Sequence, residues 1–534
     1  VTLDVLIAGG WIVDGTGNPP YPADIAIEGD RIVDVGRLPG ATAARTIDAT
    51  GRMVTPGFID AHSHSDWVLT SNPTAESAIR QGVTTEIVGN CGISQAPTTD
   101  ASRAATTEFL RSYGLERDVT WDSFASYLDV VREIGTSINY GYLVGHNSLR
   151  SAVGITGPES DEPQRARMER LVAESLEQGA LGMSTGLEFD PGRSAPREEI
   201  RRLAAAMRPY HGMYVSHVRN RSSEIVDATN EFFDYVEASG GRGQFSHLNV
   251  RLNTGAAPDA WEWTVGRIEQ ARRDGIDVLT DTISMTQGLG GMTAILPPWV
   301  LADGNEIAAE RLRDPEIRRR LRTECDRYWR FIHRGEWHRV RLMASPEHPE
   351  LDTLTLPEIA ERRGTDEWDA YFDLLADAGP QMDRLLMFGE LYTEQHLADM
   401  VSNPMFMLAV DAVNSTTQPG PLADRTKQPL VYAGQLTYLT KFVKETGLLR
   451  LEEAVRKMTS MPAIHFGLGR RGLLAPGYAA DVVVLDMERI RTPGTIANPA
   501  VYAEGVDHVL VNGAIVLDGG THTGALPGRP LLRA

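Results

Sequence analysis

The sequence predicts an α/β fold: a (β/α)8 TIM barrel, a small β-sandwich built from both chain ends, and an insertion over the barrel mouth. Three observations carry this. Strand-like apolar runs alternate with helical patterns through the middle of the chain, the mark of βα units and a parallel sheet. Eight such runs can be named, ending near His62, Cys91, His146, Gly186, His217, His247, Asp281 and Asp411. Both chain ends are β-rich, and neither alone can close a sizeable sheet.

In chain order, Asp4–Val13, Asp24–Glu28 and Arg31–Val35 read as strands separated by Gly, Asn, Pro and Asp clusters. Ala480–Asp486 and Val506–Val516 read alike at the far end. Residues 1–53 and 471–534 are therefore assigned to one sandwich, with the barrel, 54–470, inserted between its halves. The barrel runs are Gly57–Ala61, Thr84–Val88, Ile138–Val144, Leu181–Thr185, Met213–Ser216, Gln244–Ser246, Ile276–Thr280 and Met405–Val410. Arg165–Gln178 and Ala257–Arg273 show the 3.6-residue periodicity of helices between strands. The span after strand seven is too long for one loop and helix, so about 285–350 is read as the insertion.

Composition narrows the function. With 52 Lys and Arg against 72 Asp and Glu, the net charge is −20, which repels phosphate and argues against nucleic acid or an anionic membrane. The two cysteines give no disulfide framework and suit a reducing compartment. With no basic leader at the N-terminus and no apolar run of membrane-spanning length, the expectation is a cytoplasmic protein acting on a small molecule. Homo-oligomerisation is left open.

The chemistry centres on Val54–His64, an apolar run ending in His62-Ser-His64. Side chains at i and i+2 of a strand share a face, so the two imidazoles point the same way. Cys91, His217, His247 and Asp411 likewise follow buried apolar runs. A barrel gathers strand C-termini on one rim, where active sites form. Imidazole, thiolate and carboxylate together suit Zn²⁺, and the set exceeds one tetrahedral ion, so a second Zn²⁺ with a bridging group fits. Metal-bound hydroxide would attack a carbonyl, and a general base must take the water proton and deliver it to the leaving nitrogen. His146 also ends a strand and is a candidate pocket residue; Met285, Leu289, Met292 and Leu296 of the insertion are candidates for an apolar wall.

Pro56-Gly-Phe-Ile-Asp-Ala-His-Ser-His64 and Leu474-Ala-Pro-Gly-Tyr-Ala-Ala-Asp-Val-Val-Val-Leu-Asp486 resemble the amidohydrolase superfamily. Gly89-Asn-Cys-Gly92, Gly145-His-Asn-Ser-Leu-Arg150, Gly179–Leu187 and Met458–Ala463 resemble its N-acyl-D-amino-acid deacylases. The resemblance implies that Cys91, His217 and His247 hold one tight zinc. It implies that His62, His64 and Asp411 flank a second, weaker site, with Cys91 as the bridge, and that Asp411 is the general base and acid. Many amidohydrolases bridge two metals with a carboxylated lysine; here the first lysine is Lys427, too late for strand four.

The departures bear on the substrate. The family's Tyr after Ser-Thr-Gly-Leu-x is Phe189, and its strand-six Ser-His-x-Lys reads Ser246-His-Leu-Asn249. Its Tyr-Pro-Tyr-like run after strand seven is Thr282-Ile-Ser-Met285, and its His-Pro-Arg-x-Tyr-Gly run is Gln428-Pro-Leu-Val-Tyr-Ala433. The missing phenol, ammonium and guanidinium are groups that would pair with a carboxylate. Arg219 and Arg251 are candidates for a replacement anchor. The expectation is hydrolysis of a neutral or apolar amide, carbamate, urea or cyclic amide. The alternatives are an N-acyl-D-amino-acid deacylase proper, an esterase or lactonase, and a non-catalytic metal-binding protein.

Overall fold

The computed structural model describes residues 3–325 and 329–533; Val1 and Thr2 of the N-terminal segment lie outside the described residues. Eight strands form one sheet in sequential order: Phe58–Asp60, Val83–Val88, Asn139–Gly145, Gly182–Gly186, Met213–His217, Arg242–Phe245, Asp277–Thr282 and Phe406–Leu408. Every neighbouring pair is parallel. The first and last strands meet at the C-terminal rim, where Ser63 bridges Ala412 in parallel. There Asp411 N donates to His62 O (2.8 Å) and His64 N to Ala412 O (2.9 Å). This closes the TIM barrel. The expected helices are present as Glu162–Glu177 and Ala260–Arg273, the first opened by an Asp161–Gln164 capping box.

Both chain ends contribute to a second sheet. Leu3–Ile12, Tyr21–Glu28 and Arg31–Gly36 pair antiparallel in turn, and Ala43–Asp48 lies parallel to the first of them. Met53–Pro56 runs parallel to Leu3–Ile12 on one side and antiparallel to Val482–Leu485 on the other. Val506–Val511 and Ala514–Asp518 extend the sheet. The strand alternation splits its side chains between two cores. Val482 and Val484 join the sandwich core with Ile7, Ile25 and Val54, while Val483 and Leu485 belong to the barrel core. Each such buried aliphatic side chain contributes about 1.5–3 kcal/mol, so the strand couples the two units. After this sheet the chain returns along the barrel, with Leu531 N donating to Tyr140 O and Arg533 N to Gly179 O.

The excursion after strand seven reaches further than the expected 285–350. Gln287–Gly291, Leu386–Glu390 and Val340–Ala344 form an antiparallel three-stranded sheet, with helices between them including Asn305–Arg313 and Glu367–Ala378. The physical reason is pairing. Leu386–Glu390 is the central strand, and without it both other strands would expose unpaired backbone. No helix among the described residues is long and apolar enough to cross a membrane.

Gly57 marks the crossing from one sheet to the other: its N–H donates to Asp481 O in the terminal sheet, and Phe58 N donates to Gly82 O in the barrel. A β-carbon at Gly57 would collide with the Thr84 side chain. Gly57→Ala is expected to destabilise the protein by about 1–3 kcal/mol, read as a lowered urea midpoint with an unchanged slope.

Candidate active site

Each candidate ligand ends or follows its strand at the barrel rim, and three adopt a backbone that non-glycine residues rarely take. Cys91, His247 and Asp411 have φ of 52°, 34° and 55°. Such strain persists only where surroundings enforce it, and it concentrates at functional sites. The surroundings are visible. Asn90 Nδ2 donates to Ile87 O (2.8 Å), and Gly92 N to Ser184 Oγ (2.9 Å), pinning the loop around Cys91. His247 N donates to Asp281 Oδ1 (3.0 Å). Asp411 is held by its barrel-closing bond to His62 O.

Two hubs organise the side chains. Cys91 Sγ lies 3.3 Å from His62 Nε2, 3.6 Å from His217 Nδ1 and 3.6 Å from His247 Nε2. Asp411 Oδ1 lies 3.3 Å from His62 Nε2 and 3.2 Å from His64 Nε2, and Oδ2 lies 3.8 Å from His247 Nε2. Ligand atoms of His62, Cys91, His247 and Asp411 all fall within 4.8 Å of one another. Tetrahedral zinc with ordinary bond lengths sets its ligand atoms about 3.3 Å apart for N and O, and about 3.6 Å for N and S. The contacts His62 makes with Cys91 (3.3 Å) and Asp411 (3.3 Å), and the 3.6 Å contact of Cys91 with His247, lie near this spacing, and the donor set suits zinc.

Behind the rim, carboxylates and arginines orient the rings. His62 Nδ1 lies 3.2 Å from Asp281 Oδ1, which directs Nε2 towards the hubs. Asp281 is anchored in turn by Gln244 Nε2 (2.6 Å). His217 Nε2 donates to Glu188 Oε2 (2.7 Å), leaving Nδ1 facing Cys91. Arg221 donates to Glu188 Oε2 (3.0 Å) and to His247 O (3.2 Å), with Nη1 2.8 Å from His247 Nδ1, and Arg251 pairs with the same carboxylate. Burial opposes the Glu188 charge, but Arg251, Arg221 and His217 together hold its carboxyl well below the usual range.

The hubs show the same balance. Burial would raise the Cys91 thiol, yet His62, His217 and His247 hold it well below its ordinary value. Asp411 is likewise lowered against burial by His62, His247 and His64. His64 rises to about 9 because Asp411 and Cys91 outweigh burial. Burial, followed by the Arg221 charge, pushes His247 down to about 4. Thiolate and carboxylate are thus both favoured in their anionic, ligating forms.

Above the rim is a cavity of about 270 Å³. Among the described residues Asp411 is the only carboxylate lining it; its apolar walls include Trp67, Phe189, Leu289, Leu391 and Leu430. Phe189 and Asn249 both line it. Of the insertion residues, Leu289 lines it beside Gly288, Gly290 and Gly291. Met292 and Leu296 instead lie in the hydrophobic core, where Met292 O accepts from Tyr371 Oη (2.6 Å). Met285, absent from the lining, packs against the small cluster that includes Ile283, Val410 and Leu430. A glycine-rich strand presents backbone to the cavity and leaves its methionine neighbours to the core.

His146 is also away from the cavity. The helix His146–Ala152 begins at this residue and turns its ring into the helical layer, where Nε2 pairs with Glu199 Oε1 (2.8 Å) beside Arg150 (2.7 Å). Arg219 is held by Glu231 and Arg251 by Glu188, so neither of these candidate anion anchors stands in the cavity lining. Glu188, Arg221, Trp67, Tyr113 and Arg425 join the site without being candidates on sequence grounds. Glu188 carries a weak signal, two residues beyond a strand end; Trp67, Tyr113 and Arg425 carry none, because loops bring them to the cavity.

A closed parallel barrel with a strained ring of histidine, cysteine and aspartate at its C-terminal rim defines a metal-dependent hydrolase of the barrel type. The amidohydrolase family model matches residues 45–319 and 421–517, and the chain belongs to that family, as a hydrolase acting on carbon–nitrogen bonds. It is 33% identical over 520 residues to an N-acyl-D-glutamate deacylase of Alcaligenes xylosoxydans xylosoxydans, covering 96% of this chain and 93% of the relative. The structure of N-acyl-D-glutamate deacylase from Bordetella bronchiseptica, solved with zinc and a phosphonate mimic of the tetrahedral intermediate, superposes with a TM-score of 0.82 at 28% identity, over 100% of both chains. A D-aminoacylase structure described as having a binuclear metal centre, activated by one metal and attenuated by the second, superposes with a TM-score of 0.80 at 29% identity, over 99% of this chain and 100% of that one.

The buried His146–Glu199–Arg150 group gives a prediction independent of any metal. Although burial raises it, His146, Ser160 and Arg150 lower the Glu199 carboxyl from 4.5 to about 2. Its stabilisation is therefore present above the unfolded value and lost as pH falls from about 4.5 towards 2, amounting to about 3 kcal/mol. Urea unfolding across that range should show Glu199→Gln less stable than wild type at pH 5, with the difference shrinking as the pH falls.

Proposed function

We propose that this protein is a zinc-dependent hydrolase cleaving the C–N bond of an amide-type substrate, whose part against the metal rim is neutral or apolar. The observation that carries this reading is the position of Asp411. It touches His62, His64 and His247, is favoured as the anion, and among the described residues is the only carboxylate lining the cavity. Bound among these residues, zinc would supply a Lewis acid and make a water acidic near neutral pH.

In this reading Cys91, His217 and His247 hold the tight ion, and His62, His64 and Asp411 face a second, weaker one. Asp411 takes the proton of the attacking water and returns it to the leaving nitrogen, the shuttle that amide cleavage needs. Asp281, by contrast, is fully buried and orients His62. Phe189, Asn249 and Leu430 offer no cation to an anionic group beside the rim. Phe189 packs edge-on against His217, with ring centroids 5.1 Å apart, so the wall next to the ligands is aromatic. An N-acyl amide, carbamate, urea or cyclic amide suits this wall.

A second reading, an N-acyl-D-amino-acid deacylase proper, draws support from the 33% identity to the Alcaligenes enzyme. Matched N-acetyl-D-amino acids and their uncharged carboxamides separate the two. The zinc-loaded protein is expected to prefer the carboxamides; a clear preference for the free α-acids would favour the second reading.

Asp411→Asn is expected to keep its tightly bound zinc by elemental analysis while losing turnover by about 10²–10⁴-fold, the range typical of a missing proton-transfer group. Near-normal turnover in the zinc-loaded variant would remove Asp411 from proton transfer.

A further inference from the structure

Arg425 ends the short helix Pro421–Arg425 and lines the cavity. Among the described residues no carboxylate forms a salt bridge with it, and its buried Nε has no hydrogen-bond partner. Its guanidinium carbon stands 4.8 Å from the centroid of the Tyr113 ring. Arg221, the other cavity arginine, is committed to Glu188 and His247. A partly desolvated guanidinium with no anion beside it is costly unless a ligand supplies one.

The path from Arg425 to the metal rim is aromatic. The His64 ring lies 5.0 Å from Trp67, and Trp67 lies 5.4 Å from Tyr113, which Arg425 overlies. All four residues line the cavity. A flat or aliphatic spacer laid on Trp67 and Tyr113 would therefore join a group at Asp411 to a group at Arg425.

The local charge points the same way. A neighbouring recess of about 440 Å³ shares Leu386 and Arg425 with the cavity. It is lined by Arg111, Arg384, Arg425 and Lys427 against Asp352 and Asp424. Lys427 lies 3.8 Å from Asp352, and Arg111 pairs with Asp118 outside the lining, so the recess is not a bare cluster of cations. Cationic side chains still outnumber acids there, in a chain whose net charge is −20. Such a recess raises the local concentration of anions at its mouth.

We propose that Arg425 binds a substrate carboxylate held away from the scissile carbonyl by an apolar spacer lying along Trp67 and Tyr113. The substrate class is an ω-carboxy amide: a neutral C–N centre at the rim and an acid at the far end. The assignment rests on the amide-hydrolase reading above and deepens it. The carboxylate site is distinct from one beside the ligands, where Phe189, Asn249 and Leu430 stand. A guanidinium fork pairs with a carboxylate through two parallel hydrogen bonds, and one unshared arginine suits a monoanion better than a dianion.

The test uses the zinc-loaded full chain and a matched pair of N-acyl aryl-alkyl amides, one ending in a carboxylate and the other in its primary carboxamide. Wild type should favour the acid in kcat/KM. Arg425→Gln should reduce that preference ratio by about 10- to 100-fold, the worth of a hydrogen-bonded charge, mainly through KM. Arg425→Lys should fall between them. Calorimetric titration with 4-phenylbutyrate, which has no amide to cleave, gives a readout without turnover: wild type should bind it and Arg425→Gln should not.

Equal acid preference in wild type and Arg425→Gln, or 4-phenylbutyrate binding indifferent to the substitution, would overturn the assignment. Tighter binding of inorganic phosphate than of 4-phenylbutyrate would overturn the carboxylate class. If no amide is turned over, the hydrolase reading fails, and the calorimetry alone decides whether Arg425 is a carboxylate site. Because Arg425 has no ion pair to lose among the described residues, its variants should melt within a few degrees of wild type, which thermal unfolding checks.

Discussion

A pair of backbone hydrogen bonds, from Asp411 N to His62 O and from His64 N to Ala412 O, closes the barrel and builds the rim in the same stroke. A parallel sheet has unpaired edges unless its last strand finds its first. Here that pairing continues past the regular strands to the candidate ligands, so His62, His64 and Asp411 are neighbours by topology. Asp60 reinforces the seam, its Oδ1 accepting from both His62 N and Val410 N at 3.0 Å. The left-handed backbone at Cys91, His247 and Asp411 is the local cost of turning each side chain inwards at the end of a strand. The surrounding hydrogen bonds overdetermine those turns.

The rim is stiff because its support is charged and buried. Glu188 gathers Arg221, Arg251 and His217, and Asp281 gathers Gln244, His62 and the His247 backbone. Buried charges are tolerated only when paired and hydrogen-bonded, and these are. Each imidazole thereby presents a chosen nitrogen to a hub. The walls above are made differently, from loops and a glycine-rich strand of the excursion. The candidate ligands and the cavity walls therefore rest on separate parts of the fold, the division on which barrel enzymes vary their loops.

The division explains what is legible in the sequence. Barrel strands announce themselves as apolar runs, and a ligand-type residue directly after such a run needs only the topology to reach the rim; His62, Cys91, His217, His247 and Asp411 are legible this way. Asp281 carries the same signal as a strand end, but its role behind His62 depends on a side-chain direction that periodicity does not give. His146 carries it too, and misleads because a helix starts at that residue and turns it outwards. Met292 and Leu296 are apolar in the right segment, yet the excursion has a core of its own to fill. Trp67, Tyr113 and Arg425 come together only through loop packing, which leaves no pattern in the chain.

The terminal sheet has a consequence for synthesis. Met53–Pro56 sits between Leu3–Ile12 and Val482–Leu485, so one of its edges finds its partner only when the last part of the chain has been made. At ordinary elongation rates that edge waits on the order of tens of seconds. Throughout that wait the nascent polypeptide carries an open β edge beside the strand that begins the barrel, and an unpaired edge is a template for association with other chains. On the ribosome, then, Val482–Leu485 acts as a closing clasp for a strand made long before it.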